Sequence, residues 1–283
     1  METWAGQVLN GFAFGMLLFL VAGGLSLVYG VMRVVNMAHG ACYMVGGFVG
    51  WSVTEATGSF GAALIGGAAV GGVLGWAVER LTSLFRGQEL VQALVTFGLG
   101  LGLSDLSLVI WGGRPLILEA PQLLSGSVEL LGLRVARYRL FLIGAGVVLG
   151  AGLWWLLERS RLGAEIRAAV DNAEVAWALG VDAPGLYRRV AIVGGALAGL
   201  AGVLGGPFLG IYRGLDMDIL LLSFAVVIIG GLGSLEGTWL GSLLVGLTHS
   251  VGGYVWPEGS YVILFGIMAL VVVLKPTGLL RRM

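Results

Sequence analysis

The sequence predicts an all-α, polytopic transmembrane helix bundle with about eight or nine membrane segments. Three observations carry that expectation. Of 283 residues, 58% are hydrophobic and only 11% charged, with a mean hydropathy of +0.96; a soluble domain carries roughly 25% charge. The apolar residues gather into stretches near the length of about twenty that crosses a hydrocarbon core. Glycine reaches 51 residues without a Gly-X-Y period, which excludes collagen and suits helices that must approach closely in lipid.

Taken in order, the apolar stretches are 7–30, 36–54, 60–79, 90–111, 139–157, 190–211, 217–233, 237–255 and 260–274. The first has no basic n-region and no small-residue cleavage site, so it reads as a retained span rather than a signal peptide. Those at 36–54, 217–233 and 260–274 are short or glycine-rich. Such pieces suit broken or re-entrant helices, which persist where they pack on protein or line a cavity. The whole chain, 1–283, reads as one membrane domain.

Two polar intervals interrupt the spans. The longer, 158–189, holds Arg159, Arg161, Arg167, Arg188 and Arg189 with Glu158, Glu165, Asp171, Glu174 and Asp182. Ile166, Val170, Ala173 and Trp177 recur at steps of four, three and four, which places them on one helical face. Arg161 with Glu165, and Arg167 with Asp171, are spaced to pair one turn apart. Gly180 is placed to end that helix, and Asp182 with Pro184 to start another. The second interval is an external loop, 113–138, in which residues 127–136 alternate around Gly132 as a small β-hairpin does.

Positive charge sets the orientation. With 158–189 inside and nine spans, eleven of the sixteen Lys and Arg residues fall inside and five outside, which puts the N-terminus outside. Arg33, Arg80, Arg86, Lys275, Arg281 and Arg282 join the inside set; Arg114, Arg134, Arg137, Arg139 and Arg213 form the outside set.

Several motifs stand within the spans. Asn36 follows the first span in the run Asn36-Met-Ala-His-Gly40, and Asn36, Gly40, Tyr43 and Gly47 are spaced for one helical face. A polar amide at membrane depth either ties helices together or lines a path. Asn36, His39, Tyr43 and Thr96 are the candidate path residues, although His39 and His249 read equally well as packing groups. Gly194, Ala198, Gly202 and Gly206 form one small-residue row and Gly195 with Gly199 another, a helix-packing surface. The break at Gly230–Gly233 reads as a tight turn, since no lysine follows to make a phosphate loop. Asp105, in the interior of the fourth span, is a functional candidate by default.

Other chemistries find little support. The single cysteine, Cys42, excludes an intrachain disulfide and a cysteine metal cluster. A net charge of zero argues against nucleic acid. No catalytic set appears, no metal or cofactor is expected on this chain, and no GxxxxGK[ST] motif is present. An ATP-driven process therefore needs a separate chain for hydrolysis. The rival is a proton- or sodium-coupled secondary transporter centred on Asp105; an intramembrane enzyme or a channel would need a catalytic set or a filter motif.

Residues 163–180, GAEIRAAVDNAEVAWALG, resemble the cytoplasmic coupling segment of permeases in ATP-binding-cassette importers of the branched-chain amino acid type, the hydrophobic amino acid uptake family. NMAHG at 36–40, GGALAGLAGVL at 194–204, PFLGI at 207–211 and IIGGLGSLEGTWLG at 228–241 match that family in the same order. The resemblance covers nearly the whole chain. It implies a multi-pass subunit of the bacterial inner membrane that pairs with a second, related permease. Two cytoplasmic ATPase subunits, which hold ATP-Mg, and a periplasmic binding protein complete the assembly it implies. Substrates would be branched-chain or other hydrophobic amino acids or small amides, moved by alternating access. The coupling surface would comprise Glu165, Ile166, Arg167, Val170, Asp171, Asn172, Ala173, Trp177 and Gly180. In that reading Ile166, Val170, Ala173 and Trp177 plug the ATPase groove, and Arg167, Asp171 and Asn172 set polar register.

Overall fold

The structure, a computed structural model, describes residues 2–130 and 133–280. Every expected apolar segment is helical: α1 (Glu2–Met32), α2 (His39–Thr57), α3 (Phe60–Thr82), α4 (Glu89–Trp111), α5 (Arg137–Arg159), α8 (Ala183–Leu209), α9 (Leu215–Gly230), α10 (Leu235–Val255) and α11 (Ser260–Leu274). Two short helices, α6 (Arg161–Asp171) and α7 (Ala173–Ala178), occupy the long polar interval. Among the described residues, six helices are long and apolar enough to cross a membrane: those built on α1, α3, α4, α5, α8 and α11. The three expected segments outside that set have physical reasons to differ. Helix α9 has only 16 residues, and α2 and α10 carry glycine, serine, threonine, histidine and glutamate among their apolar residues.

Helix α1 is the axis of the bundle. It is hydrophobic on all sides, and Ala13 through Leu25 are buried almost without interruption, as expected for a helix enclosed by others. It runs antiparallel to α10, with Gly11 against Leu247 and Gly15 against Ser242 and Leu243. It runs parallel to α5, with Met16 on Gly146 and Phe19 on Gly150.

Helix α8 is the second axis, and its two small-residue rows bring α1, α2 and α3 against it. Gly194 meets Gly24 and Val28 of α1, while Gly202 meets Tyr43 and Gly47 of α2. Gly195 and Gly199 face α3, where a Cβ on Gly199 would stand 2.1 Å from the Gly67 carbonyl oxygen. No side chain fits there, so glycine is what allows α3 and α8 to cross backbone to backbone.

Two helices begin part-way through the bundle. The Nε2 of His39, first residue of α2, donates to the Val21 carbonyl at 3.0 Å. Val21 lies eleven residues before the end of α1, about 16 Å along the axis. The chain therefore turns back after Met32 and starts α2 at mid-depth. Helix α9 does the same from the opposite side, because the Asp216 carbonyl oxygen fills the place of a Cβ on Gly40. Asn36 consequently lies in the connection before α2, not on the helical face expected with Gly40, Tyr43 and Gly47. Its Oδ1 accepts the Ala38 N–H at 3.0 Å.

The remaining features follow from these axes. Strands β1 (Ser127–Leu130) and β2 (Leu133–Ala136) pair antiparallel with Ser127 opposite Ala136; Gly132, on which the alternation turns, lies outside the described residues. Leu116 and Ile211 pair their backbones at that same end of the bundle. Gly231 and Gly233 adopt φ of +107° and +82° in the turn between α9 and α10, and the Ser234 side chain caps α10 by accepting from Gly237 N–H. Helix directions place Arg33, Arg80, Arg86, the 158–189 basic residues and Lys275 at one end, opposite Arg114, Arg134, Arg137, Arg139 and Arg213. Arg281 and Arg282, counted with the first group, lie outside the described residues.

Candidate functional site

The 158–189 segment folds as two helices, not one. Ser160 accepts the Gly163 N–H at 3.0 Å and starts α6. Asn172 ends it, and the same residue starts α7 by accepting the Val175 N–H at 3.1 Å. Asparagine suits such a junction, because its side chain satisfies an orphan helix donor from an extended backbone. Gly180, at φ +91°, follows α7 as expected. Asn172→Ala should cost about 1 kcal/mol of local stability; amide hydrogen exchange across 173–178 should speed up several-fold while exchange in α8 is unchanged.

That break redistributes the expected apolar face. Ile166 is only 5% exposed and packs with Leu27, Val28, Val31, Leu186 and Val190, so it holds α6 onto this chain's own α1 and α8. It is not an outward anchor. Val170 is 40% exposed, Ala173 and Trp177 are half-buried, and Trp177 also packs towards the bundle. The outward apolar groups are Val175 and Leu179, flanked by exposed Asp171, Asn172 and Glu174. The ion pairs differ as well. Arg167 meets Glu158 at 3.9 Å instead of Asp171, and Glu165 meets Arg189 at 2.6 Å instead of Arg161. The partners sit on α5 and α8 because the helix bundle brings those ends together.

A chain of contacts leads from this segment into the bundle. Trp177 meets Tyr187 of α8 edge-on, with ring centroids 5.9 Å apart. The Arg86 guanidinium stands over the Tyr187 ring at 5.1 Å and also meets the buried Glu79 of α3 at 3.5 Å. These groups border a cavity of about 210 Å³ beside Arg33 and Gln92. These contacts connect α7 with the α3–α4 turn.

The candidate path residues converge at mid-depth. Thr96 of α4 accepts the Met37 N–H at 3.1 Å, next to Asn36 and His39 at the start of α2, and Tyr43 lies one turn further on. All four are closed off, between 1% and 4% exposed. Helix α4 contributes more than Thr96. Its buried residues are Gln92, Thr96, Gly100, Ser104 and Ser107, a polar or small stripe at helical spacing, while its other faces are apolar and exposed. The step pattern was legible in the sequence, but its polarity was masked by the leucines between.

Asp105 is exposed and forms an ion pair with Arg213. A buried acid, besides Glu79, is Asp216, 3% exposed, in the first turn of α9 beside Ser104. It escaped notice because it sits just before the apolar stretch at 217–233, where it reads as loop.

The family model for the branched-chain amino acid transport system permease component matches residues 7–273. The chain belongs to this family. The permease is 26% identical over 294 residues to the high-affinity branched-chain amino acid transport system permease protein BraD of Pseudomonas aeruginosa, covering 98% of this chain and 95% of BraD. It is 26% identical to LivH of Escherichia coli K12, described in the same words, with the same coverage. A solved structure titled PsaBC from Streptococcus pneumoniae in complex with Fab superposes with a TM-score of 0.50 at 15% identity, covering 93% of this chain and 90% of that one. That likeness supports the fold. The permease is thus a multi-pass membrane protein whose relatives are transport subunits rather than enzymes.

Proposed function

We propose that this permease is the membrane-spanning subunit of an ATP-binding-cassette importer that carries a branched-chain or hydrophobic amino acid, or a related small amide, across the bacterial inner membrane. The family match across residues 7–273 carries the reading. Separate ATPase subunits holding ATP-Mg supply the energy. A second related permease and a periplasmic binding protein complete the assembly, and this chain itself binds no cofactor.

The geometry supports a route for the coupling. ATPase closure moves the outward surface of α6 and α7, comprising Val170, Asp171, Asn172, Val175 and Leu179. Ile166 transmits that movement to the inner ends of α1 and α8. Trp177, Tyr187 and Arg86 transmit it to α3 and α4. Thr96 then shifts against Met37 at the start of α2. A ligand-driven switch needs contacts that differ between its two states, and the Thr96–Met37 bond is one such contact. The secondary-transporter reading loses its centre, because Asp105 is exposed and paired.

Co-expression with candidate ATPases and the second permease tests the proposal. Tagged permease should capture two ATPase subunits, and proteoliposomes with the binding protein should take up leucine only with ATP. Uptake driven by a proton or sodium gradient without captured ATPase would refute it.

A further inference from the structure

The cavity of about 210 Å³ lies between the ends of α1, α3, α4 and α8. This is the end of the bundle that carries the 158–189 segment, the cytoplasmic end in the importer reading. Val34, Glu79, Thr82 and Gln92 are buried and form its floor, while Arg33, Arg86, Gly87 and Glu89 are exposed and form its rim. Each rim residue lies in a connection between helices, or is the first residue of one. The cavity therefore opens at the bundle end, towards water, and not on a lipid-facing flank.

Its lining combines groups for both ends of a small dipolar molecule. The floor offers an acid. Glu79 is 3% exposed, and a buried charge is stable only when paired. Arg86 answers it at 3.5 Å, beyond the about 2.7–2.9 Å of a charge-assisted hydrogen bond. The same guanidinium stands over the Tyr187 ring. The pair is loose and leaves room on the carboxylate for a second cation. The rim offers a positive charge, since Arg33 belongs to none of the ion pairs among the described residues. Its backbone stands at φ +53°, the one positive value outside glycine among those residues, and such a conformation persists only where its surroundings hold it. Met32, Val34 and the Tyr187 ring add apolar wall.

We propose that this cavity is a regulatory site for a free zwitterionic amino acid with an apolar side chain, its ammonium on Glu79 and its carboxylate on Arg33, through which the delivered product restrains its own import. The inference rests on the importer reading above and adds a control to it. A simple anion would meet Glu79, and a simple cation would meet two arginines; a zwitterion answers both signs. The volume is below the roughly 300–1,000 Å³ of sites for drug-sized ligands, which suits a molecule of amino-acid size.

The walls explain how occupancy would restrain import. They come from the α1–α2 connection, the α3–α4 turn and α8, and a molecule seated between them ties the three together. The proposed coupling route crosses the same place, from Trp177 through Tyr187 to Arg86. A ligand shifts a conformational balance only by binding one state better than the other. Movement along the route changes the spacing of the cavity walls, so an occupant favours the geometry in which the cavity is formed and opposes the switch.

The test uses the assembled transporter in proteoliposomes, with binding protein outside and ATP inside, and reads the initial rate of labelled leucine uptake with and without unlabelled leucine trapped inside. Trapped leucine should slow the wild type roughly fivefold or more, within the range of allosteric couplings. Trapped 4-methylpentanoate, which lacks the ammonium, and isopentylamine, which lacks the carboxylate, should leave the rate unchanged. Arg33→Gln should match wild type in empty vesicles and lose most of the inhibition. Wild-type uptake that trapped leucine leaves unchanged overturns the site and leaves the importer reading intact, as does equal inhibition of wild type and Arg33→Gln. Inhibition by either analogue as strong as that by leucine overturns the zwitterion assignment. Uptake that ignores trapped leucine but follows the phosphatidylethanolamine content of the vesicles puts a lipid headgroup in the cavity and overturns the proposal. A wild-type complex that moves no amino acid into empty vesicles overturns the importer reading, and this proposal with it. For an Arg33→Gln that does not assemble, amide hydrogen exchange of residues 83–89 in the wild-type complex without binding protein decides. Leucine should slow that exchange and 4-methylpentanoate should not; equal exchange with and without leucine overturns the proposal.

Discussion

Leu179→Asp should abolish capture of the ATPase subunits while leaving the permease folded and inserted. Leu179 is 81% exposed, and with Val175 it forms the outward apolar surface of the proposed coupling segment. A docked partner would dehydrate both, and an aspartate there would be buried without a cation, at a cost of several kcal/mol. That corresponds to a drop in association of at least 30-fold or so. Ile166→Asp is the informative contrast. Its side chain is buried against α1 and α8, so the charge would detach α6 from the bundle. Ile166→Asp should therefore reduce the yield of monodisperse permease in detergent, whereas Leu179→Asp should not. Normal ATPase capture by Leu179→Asp would remove that residue from the docking surface.

Gly199→Leu should prevent the permease from accumulating at all. A Cβ at this position would meet the Gly67 carbonyl oxygen at 2.1 Å and the Gly71 Cα at 2.9 Å. Both obstacles are backbone, so no rotamer change relieves them; α3 and α8 must separate along their crossing. Overpacking a core already costs about 1–3 kcal/mol where side chains can yield, and a clash between two backbones lies beyond that range. Gly152→Leu on α5 is the control, since nothing lies within 4 Å of its Cβ position and the residue is exposed. Gly152→Leu should match wild type in membrane abundance and Gly199→Leu should be nearly absent. Equal abundance would show that the crossing tolerates several ångströms of separation.

Much of the architecture was legible in residue order alone. Hydropathy located all nine long helices, because each runs between polar breaks that end or cap it, as Ser59 does for α3 and Ser234 for α10. The small-residue rows of α8 announced close crossings, since only small side chains permit them in lipid. The alternation at 127–136 foretold a hairpin, and Gly180 the end of the short helices in the polar segment.

What residue order left open was depth and facing. Periodicity places Ile166, Val170, Ala173 and Trp177 on one stripe only while the helix is continuous; Asn172 breaks it, and the bundle claims Ile166 for itself. Asp105 and Asp216 look alike as isolated acids near apolar stretches. Only the tertiary structure separates them, because it pairs Asp105 with Arg213 across 108 residues and brings α2, α4 and α9 together around Asp216. The sequence by itself determined that this chain is a helical membrane bundle with a long polar segment between two spans, since burial in lipid and helix breaking are local properties. Tertiary structure alone decided where α2 and α9 begin, which face of α6 looks outward and which acid is buried, since each depends on contacts between residues far apart in the chain.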